Sequence, residues 1–326
     1  MKKLSLILLT LLTTLSLAAC QEDEELDNVV YVTTYALEYL VDEIGKDVVN
    51  VKYVPGAQVH GESYDWSAQE IINMQDADLL FYVGGGLDTY IDASINAIFT
   101  NQNVTLTKIS DSIELLEICL VHDHDQDEHD HDDEEDNYDE ECENAENMPD
   151  PHFWLDVNKM LEAADIVRNQ LLEHYPEKEA IINNNYVVVN LVLNKLNQDF
   201  HDALHDQHKP VITNVKLFSY YQEAYHVHLH PLTLDAHSHE DESVPTNLIE
   251  FVHLALDNNI NYILFEKNAT SPAGETLLTE IAKENPDIEK LYLHPLGNLT
   301  TEELAQNKNY VNIMYDNLTA LKRAVE

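Results

Sequence analysis

The chain has 326 residues, 44% of them hydrophobic, which is enough for about two domains with proper cores. Its charge is one-sided: 17 Lys+Arg against 61 Asp+Glu give −44. Such a field repels nucleic acid and anionic lipid head groups and attracts cations, so a nucleic-acid partner is excluded.

The N-terminus reads as an address. Lys2 and Lys3 precede an apolar run, residues 4–17, which "LAAC" closes at Cys20. Small residues are usual at a signal cleavage site. This one resembles the lipobox of bacterial lipoproteins, in which the cysteine becomes the lipidated first residue. The run is short for a membrane span. The expectation is a lipoprotein signal peptide over 1–19, lipidation at Cys20 and an acidic tether over 20–27. That places the protein on the extracytoplasmic face of the cell membrane, anchored by lipid. Disulfides persist outside the cytoplasm, so Cys119 and Cys142 are expected to bridge, with a loop-closure gain of roughly 3 kcal/mol. Two thiolate metal ligands are the competing reading.

Strand-like and helical runs then alternate. "NVVYVTT" (28–34) is β-branched, and "YALEYLVDEIG" follows as a helix that Gly45 caps. "VVNVKYVP" (48–55) is a second strand. "SAQEIINMQDAD" (67–78) is a helix opened by a capping box, Ser67 with Glu70. "LLFYV" (79–83) is a buried strand, and "VGGGLD" is a tight turn after it that lacks the Gly-Lys-Ser/Thr of a phosphate loop. Residues 156–175 form an amphipathic helix stopped by Pro176. Ile182, Tyr186, Val189, Leu193, Leu196 and Phe200 then make one continuous helical stripe. From 176 to 204 this strut measures roughly 43 Å at 1.5 Å per residue. "PVITN" (210–214), "LHPLTLD" (229–235), "NYILFE" (261–266) and "EKLYLH" (289–294) read as strands, and the chain ends in a helix. Alternation of this kind implies parallel sheets. The fold class is α/β: an N-terminal lobe over 28–175, a long rigid linking helix over 176–205 and a C-terminal lobe over 206–326.

In open α/β sheets ligands bind beyond the carboxyl ends of the strands. There the sequence places His60, Glu62 and Asp65, then His152, then His237 and His239, and finally His294. Several histidines at corresponding strand ends suit a borderline metal such as zinc, which wants imidazole nitrogens at about 2.0–2.1 Å. Two further groups read as solvated surface: His201 and His205 at i, i+4, for which a helix-face chelate is the alternative, and His226, His228 and His230 alternating along an incoming edge strand.

"PGAQVH", "ADLLFYVGGGLD", "DPHFWLD" after a His/Asp-rich run, "ILFE" and "LHPLGNLT" occur in an order that resembles the zinc/manganese-binding lipoproteins of bacterial metal ABC importers, solute-binding proteins of the cluster A-I type. The resemblance runs over residues 28–326. It implies two lobes, a metal in the cleft between them and delivery to an ABC permease by a monomeric, non-enzymatic binding protein. Surface adhesion or metal buffering is the alternative, and a zinc hydrolase a weaker one, since no HExxH is present. The family's first two metal histidines fall on His60 and His152. Its third ligand, five residues before Tyr220, falls on Val215, which binds no metal. Its fourth, often the Asp of "DPLG", falls on His294 in "HPLG". His60 is followed by "GESYDW" where the family has x-Tyr-Glu. His237 is the preferred replacement for Val215. His239, Glu62, Asp65 or a water are the alternatives. Zn²⁺ is expected over Mn²⁺, because imidazole suits zinc and manganese prefers carboxylate oxygen.

Residues 120–148 are expected to be a disordered loop. Between Cys119 and Cys142 they carry His122, His124, His129 and His131 among thirteen acidic residues. Neutral imidazoles among carboxylates make weak, exchangeable metal sites, and the resemblance implies that such a loop gathers zinc near the cleft.

Overall fold

A computed structural model describes residues 28–57, 64–99, 103–119, 147–233 and 247–326. The calls on Cys20, His60, Glu62, His237, His239, Cys142 and the four loop histidines lie outside these residues.

Two parallel sheets organise the chain. The first contains β1 (Val29–Val32), β2 (Asn50–Tyr53), β3 (Leu79–Tyr82) and β4 (Thr105–Lys108), in the order β2-β1-β3-β4. Its crossovers carry α1 (Tyr35–Ile44), α2 (Ala68–Gln75) and α3 (Thr89–Ser94), the last extended by a π-turn over Ile95–Phe99. A hairpin of β5 (Leu116–Cys119) and β6 (Asn147–Asp150) follows, then α4 (Val157–His174) and the long α5 (Glu179–Leu204). The second sheet holds β7 (Val211–Thr213), β8 (Leu229–Pro231), β9 (Tyr262–Glu266) and β10 (Glu289–Leu293), in the order β10-β9-β7-β8. Around it lie α6 (Ser219–Tyr225), α7 (Leu248–Asp257), α8 (Pro272–Ile281), α9 (Thr301–Ala305) and α10 (Tyr310–Val325). Both sheets share one topology, with the strand order reversing between the first and third strands. No repeat of sequence announces this.

Local signals explain most of these elements. The Ser67–Glu70 capping box forms in both directions, and the α2 it opens ends at Gln75, three residues earlier than expected. Asp156 caps α4 by accepting from the Asn158 amide at 2.8 Å. On α5 the predicted stripe is buried throughout except for the half-buried Tyr186. It packs into a continuous core that also takes in Leu37, Val167, Tyr221 and Leu321, residues from both sides of the linking helix.

Three expectations need correction, and one strand of the first sheet was not expected. Gly45 ends α1 with φ −87°, so it is not a left-handed cap. Its reason is close approach: a Cβ there would stand 2.5 Å from Val49 Cγ2 and 2.7 Å from the Val41 carbonyl oxygen. Gly45→Ala should therefore destabilise the protein by about 1–3 kcal/mol in urea denaturation, an overpacking effect. The sheets are parallel, but β5 and β6 pair antiparallel, and Asn147 and Met148 belong to β6 rather than to the loop. His226 caps α6 in the left-handed region (φ 58°), so only His230 of its alternating trio lies within the short edge strand β8. β4 went unrecognised because "TLTK" is short and half-buried.

Candidate metal centre

The second sheet reverses order between β7 and β9, and open sheets bind ligands at such a switch point. Asn214 ends the β7 side, and its side-chain oxygen accepts from the Glu266 backbone N–H at 2.8 Å. That bond fixes the last residue of β9 against β7. Glu266 is 8% exposed, and burial pushes its carboxyl above the ordinary range while the neighbouring His152 pulls it back. The two side chains are therefore near enough to interact electrostatically.

His152 stands between β6 and α4, held by its surroundings. Asp150, 2% exposed, accepts from the His152 backbone N–H at 3.0 Å and lies 2.7 Å from its ring Nδ1. A carboxylate on one ring nitrogen orients the imidazole and leaves Nε2 for a ligand, the arrangement typical of metal-binding histidines. Trp154 presents its ring edge-on to His152 at 5.3 Å between centroids. Its indole N–H reaches across to the Pro295 carbonyl at 2.8 Å. The Tyr220 hydroxyl donates to the Asp150 carbonyl at 2.8 Å and accepts from the Leu116 amide at 3.0 Å, clamping both strands of the hairpin. On the other side the three positive-φ glycines Gly84–Gly86 turn the chain out of β3, with Asp88 accepting from the Val83 and Gly84 amides. An added Cβ on Gly85 would meet Leu115 at 2.4 Å and Pro151 at 3.7 Å, so this turn packs directly against the His152 segment.

The other expected residues are placed differently. Val215 is 2% exposed and belongs to the core. Asp65 is exposed on the approach to α2, between Tyr64, which bonds Glu70, and Trp66, which bonds the Pro55 carbonyl. His294 is buried, and both ring nitrogens are engaged. Nδ1 accepts from the Leu296 amide at 2.9 Å, and Nε2 lies 3.3 Å from the Glu303 carboxylate. Burial lowers its pKa against the pull of Glu303. Burial also raises Glu303, but the Lys267 ammonium, the Thr300 amide and hydroxyl, and His294 outweigh it and bring the carboxyl to about 2. Asn317 of α10 pins the His294 backbone from both sides, at 2.8 and 2.9 Å. Among the described residues no group of three or more His, Cys, Asp or Glu is assembled for a metal. Among the described residues, His152 and Glu266 interact at this end of the sheet, Asp65 is exposed, and His294 is engaged with Leu296 and Glu303.

Two residues here were not found from sequence. Glu266 ends "ILFE", and a carboxylate closing a buried apolar strand was the available signal. Lys216, half-buried at the turn after Val215, has its pKa lowered by burial against the pull of the Asp150 carboxylate.

Residues 30–324 match the family model described as zinc-uptake complex component A, periplasmic (ZnuA). The chain belongs to the ZnuA family. Among curated proteins, the zinc-binding lipoprotein AdcA of Streptococcus pneumoniae (strain ATCC BAA-255 / R6) is 27% identical over the whole chain, which spans 62% of that relative's length. The high-affinity zinc uptake system protein ZnuA of Bacillus subtilis (strain 168) is 25% identical over 92% of this chain and 88% of its own. Two solved ZnuA-type structures share the fold. The metal-dependent lipoprotein YcdH of Bacillus subtilis has a TM-score of 0.71 at 22% identity, covering 92% of this chain and 99% of that one. The Zn(II)-bound ZnuA-like domain of Streptococcus pneumoniae AdcA has 0.68 at 23%, covering 91% and 98%. Membership of the ZnuA family and the α/β architecture with its long helix agree with the reading of the sequence.

Proposed function

We propose that this chain captures Zn²⁺ outside the cytoplasm and hands it to an ABC permease, without catalysing a reaction, while lipid at Cys20 holds it to the membrane. The observation that carries this is the His152 ring, oriented by the buried Asp150 carboxylate beside a sheet whose strand order reverses at Glu266. The names of its relatives, a zinc-binding lipoprotein and a zinc uptake protein, point the same way. Zinc is the cargo. His152 and Glu266 would hold it together with His60, and His237 is the residue we assign to the corner that Val215 vacates. His294 would enter only by giving up its Glu303 contact, so Glu266 is preferred for its place. The lobes are taken as residues 28–175 and 206–326, joined through 176–205.

Competition titration of the full chain tests this. Zn²⁺ should be preferred over Mn²⁺ by orders of magnitude, because the donor set is rich in imidazole. Equal or tighter Mn²⁺ binding overturns the assignment. Deleting residues 121–141, with both flanking cysteines kept, should lower the total zinc stoichiometry in calorimetry. The tight phase should stay within a few-fold, because weak loop sites add capacity without shaping the cleft. Loss of the tight phase would place a cleft ligand among the loop histidines.

A further inference from the structure

The linking helix ends in a feature that zinc capture in the cleft does not use. His201 lies in the last turn of α5 and His205 is its C-cap, and both are exposed. Their rings approach to 4.9 Å between centroids, inclined by 23°. Residues four apart on a helix present their side chains on one face. Two imidazoles that share one zinc ion, each nitrogen at about 2.0–2.1 Å, bring their ring centres to roughly 4.5–5.3 Å. The pair therefore already stands at chelating separation, and the exposed rings are free to turn their nitrogens toward a shared ion.

Three surroundings favour a cation there. The Asp206 carboxylate lies 3.0 Å from His205 Nδ1, which leaves Nε2 of that ring as the nitrogen for an ion. The helix C-terminus carries partial negative charge. Asp202 sits between the two histidines in sequence, and its side chain accepts from Gln198 at 2.6 Å, so it contributes field without occupying the rings. Because no group of three or more His, Cys, Asp or Glu stands ready for a metal among the described residues, the remaining coordination positions would be filled by water.

We propose that His201 and His205 form a second, surface site for a borderline divalent d-block cation of the Zn²⁺ class, a two-nitrogen chelate separate from the cleft. Mg²⁺ and Ca²⁺, which demand oxygen ligands, do not fit it. The ion held there exchanges readily with solvent, as two protein nitrogens and open water positions dictate.

The test uses the full chain labelled with ¹⁵N-histidine and titrated with ZnCl₂ beyond the amount that fills the tight phase. Ring resonances of His201 and His205 are assigned through the single variants His201→Ala and His205→Ala. Both rings should respond along one shared isotherm, and each single substitution should weaken the response of the surviving ring about tenfold or more, since the chelate is lost. MgCl₂ should move neither. His152→Ala, which addresses the cleft, should leave the shared isotherm unchanged, so failure of one site is distinguishable from failure of the other. Both histidines are exposed, and unchanged far-ultraviolet circular dichroism will exclude unfolding. Rings that do not respond, or a His201 that binds equally well in His205→Ala, overturn the proposal.

Discussion

Replacing His152 with alanine should weaken Zn²⁺ binding by roughly two orders of magnitude or more while the fold persists. The magnitude follows from the position of the ring. Mutating even a group that only orients a ligating histidine costs about 10–100-fold in affinity, and His152 is proposed as the ligand itself. Asp150→Asn should fall in that lower range, because it removes the charge that fixes the Nδ1 side at 2.7 Å but leaves the imidazole in place. Glu266→Gln separates the two candidates for the remaining corner. If Glu266 binds the ion, its neutral isostere loses affinity, whereas His294→Ala costs mainly stability through the Glu303 and Leu296 contacts. Isothermal titration calorimetry on the four variants decides. Near-native affinity in His152→Ala would remove the centre proposed here, and a collapse confined to His294→Ala would restore His294 as the ligand.

Trp154→Ala should destabilise the protein by about 3–5 kcal/mol, the usual range for emptying a large aromatic site in a core. Trp154 is 1% exposed and packs edge-on against Phe153 at 5.7 Å. It also donates to Pro295, and its own carbonyl accepts from the Tyr310 hydroxyl at 2.6 Å. The substitution thus removes buried area, leaves the Pro295 carbonyl without this donor and loosens the support of His152. Chemical denaturation at equilibrium measures the loss, and a change below about 1 kcal/mol would show that the indole is not the keystone described. Trp154→Phe should recover part of the packing and none of the bond to Pro295.

The periodic elements were legible in the sequence because their burial is one-sided. The stripe from Ile182 to Phe200 and the all-apolar "LLFY" leave no other arrangement, and the Ser67–Glu70 pair marks a helix start by its chemistry. What the sequence hid were matters of partnership. Val29–Val32 and Leu116–Cys119 are equally strand-like, yet one pairs parallel and the other antiparallel, a choice made by neighbours distant in the chain. For His294 the sequence could not show the contacts of its ring, because a strand-end histidine looks the same whether its nitrogens face a ligand or a buried Glu303. Glu266 was overlooked for the converse reason: it was counted as the last letter of a strand, although the end of that strand is where the order reverses.

The core that runs through α5 has a mechanical consequence. Leu37, Leu193, Tyr221 and Leu321 belong to one apolar mass, and Trp154, Tyr220 and Tyr310 tie the two halves together by hydrogen bonds. Swinging one half away from the other would break those bonds and open packed surface to water. The molecule therefore behaves as a stiff receptacle and not as a hinged trap. On the proposed function, a permease that must tell a full binding protein from an empty one has no large swing to sense. It would read the altered charge where the ion sits, since a dication beside the buried Glu266 changes the local charge by two.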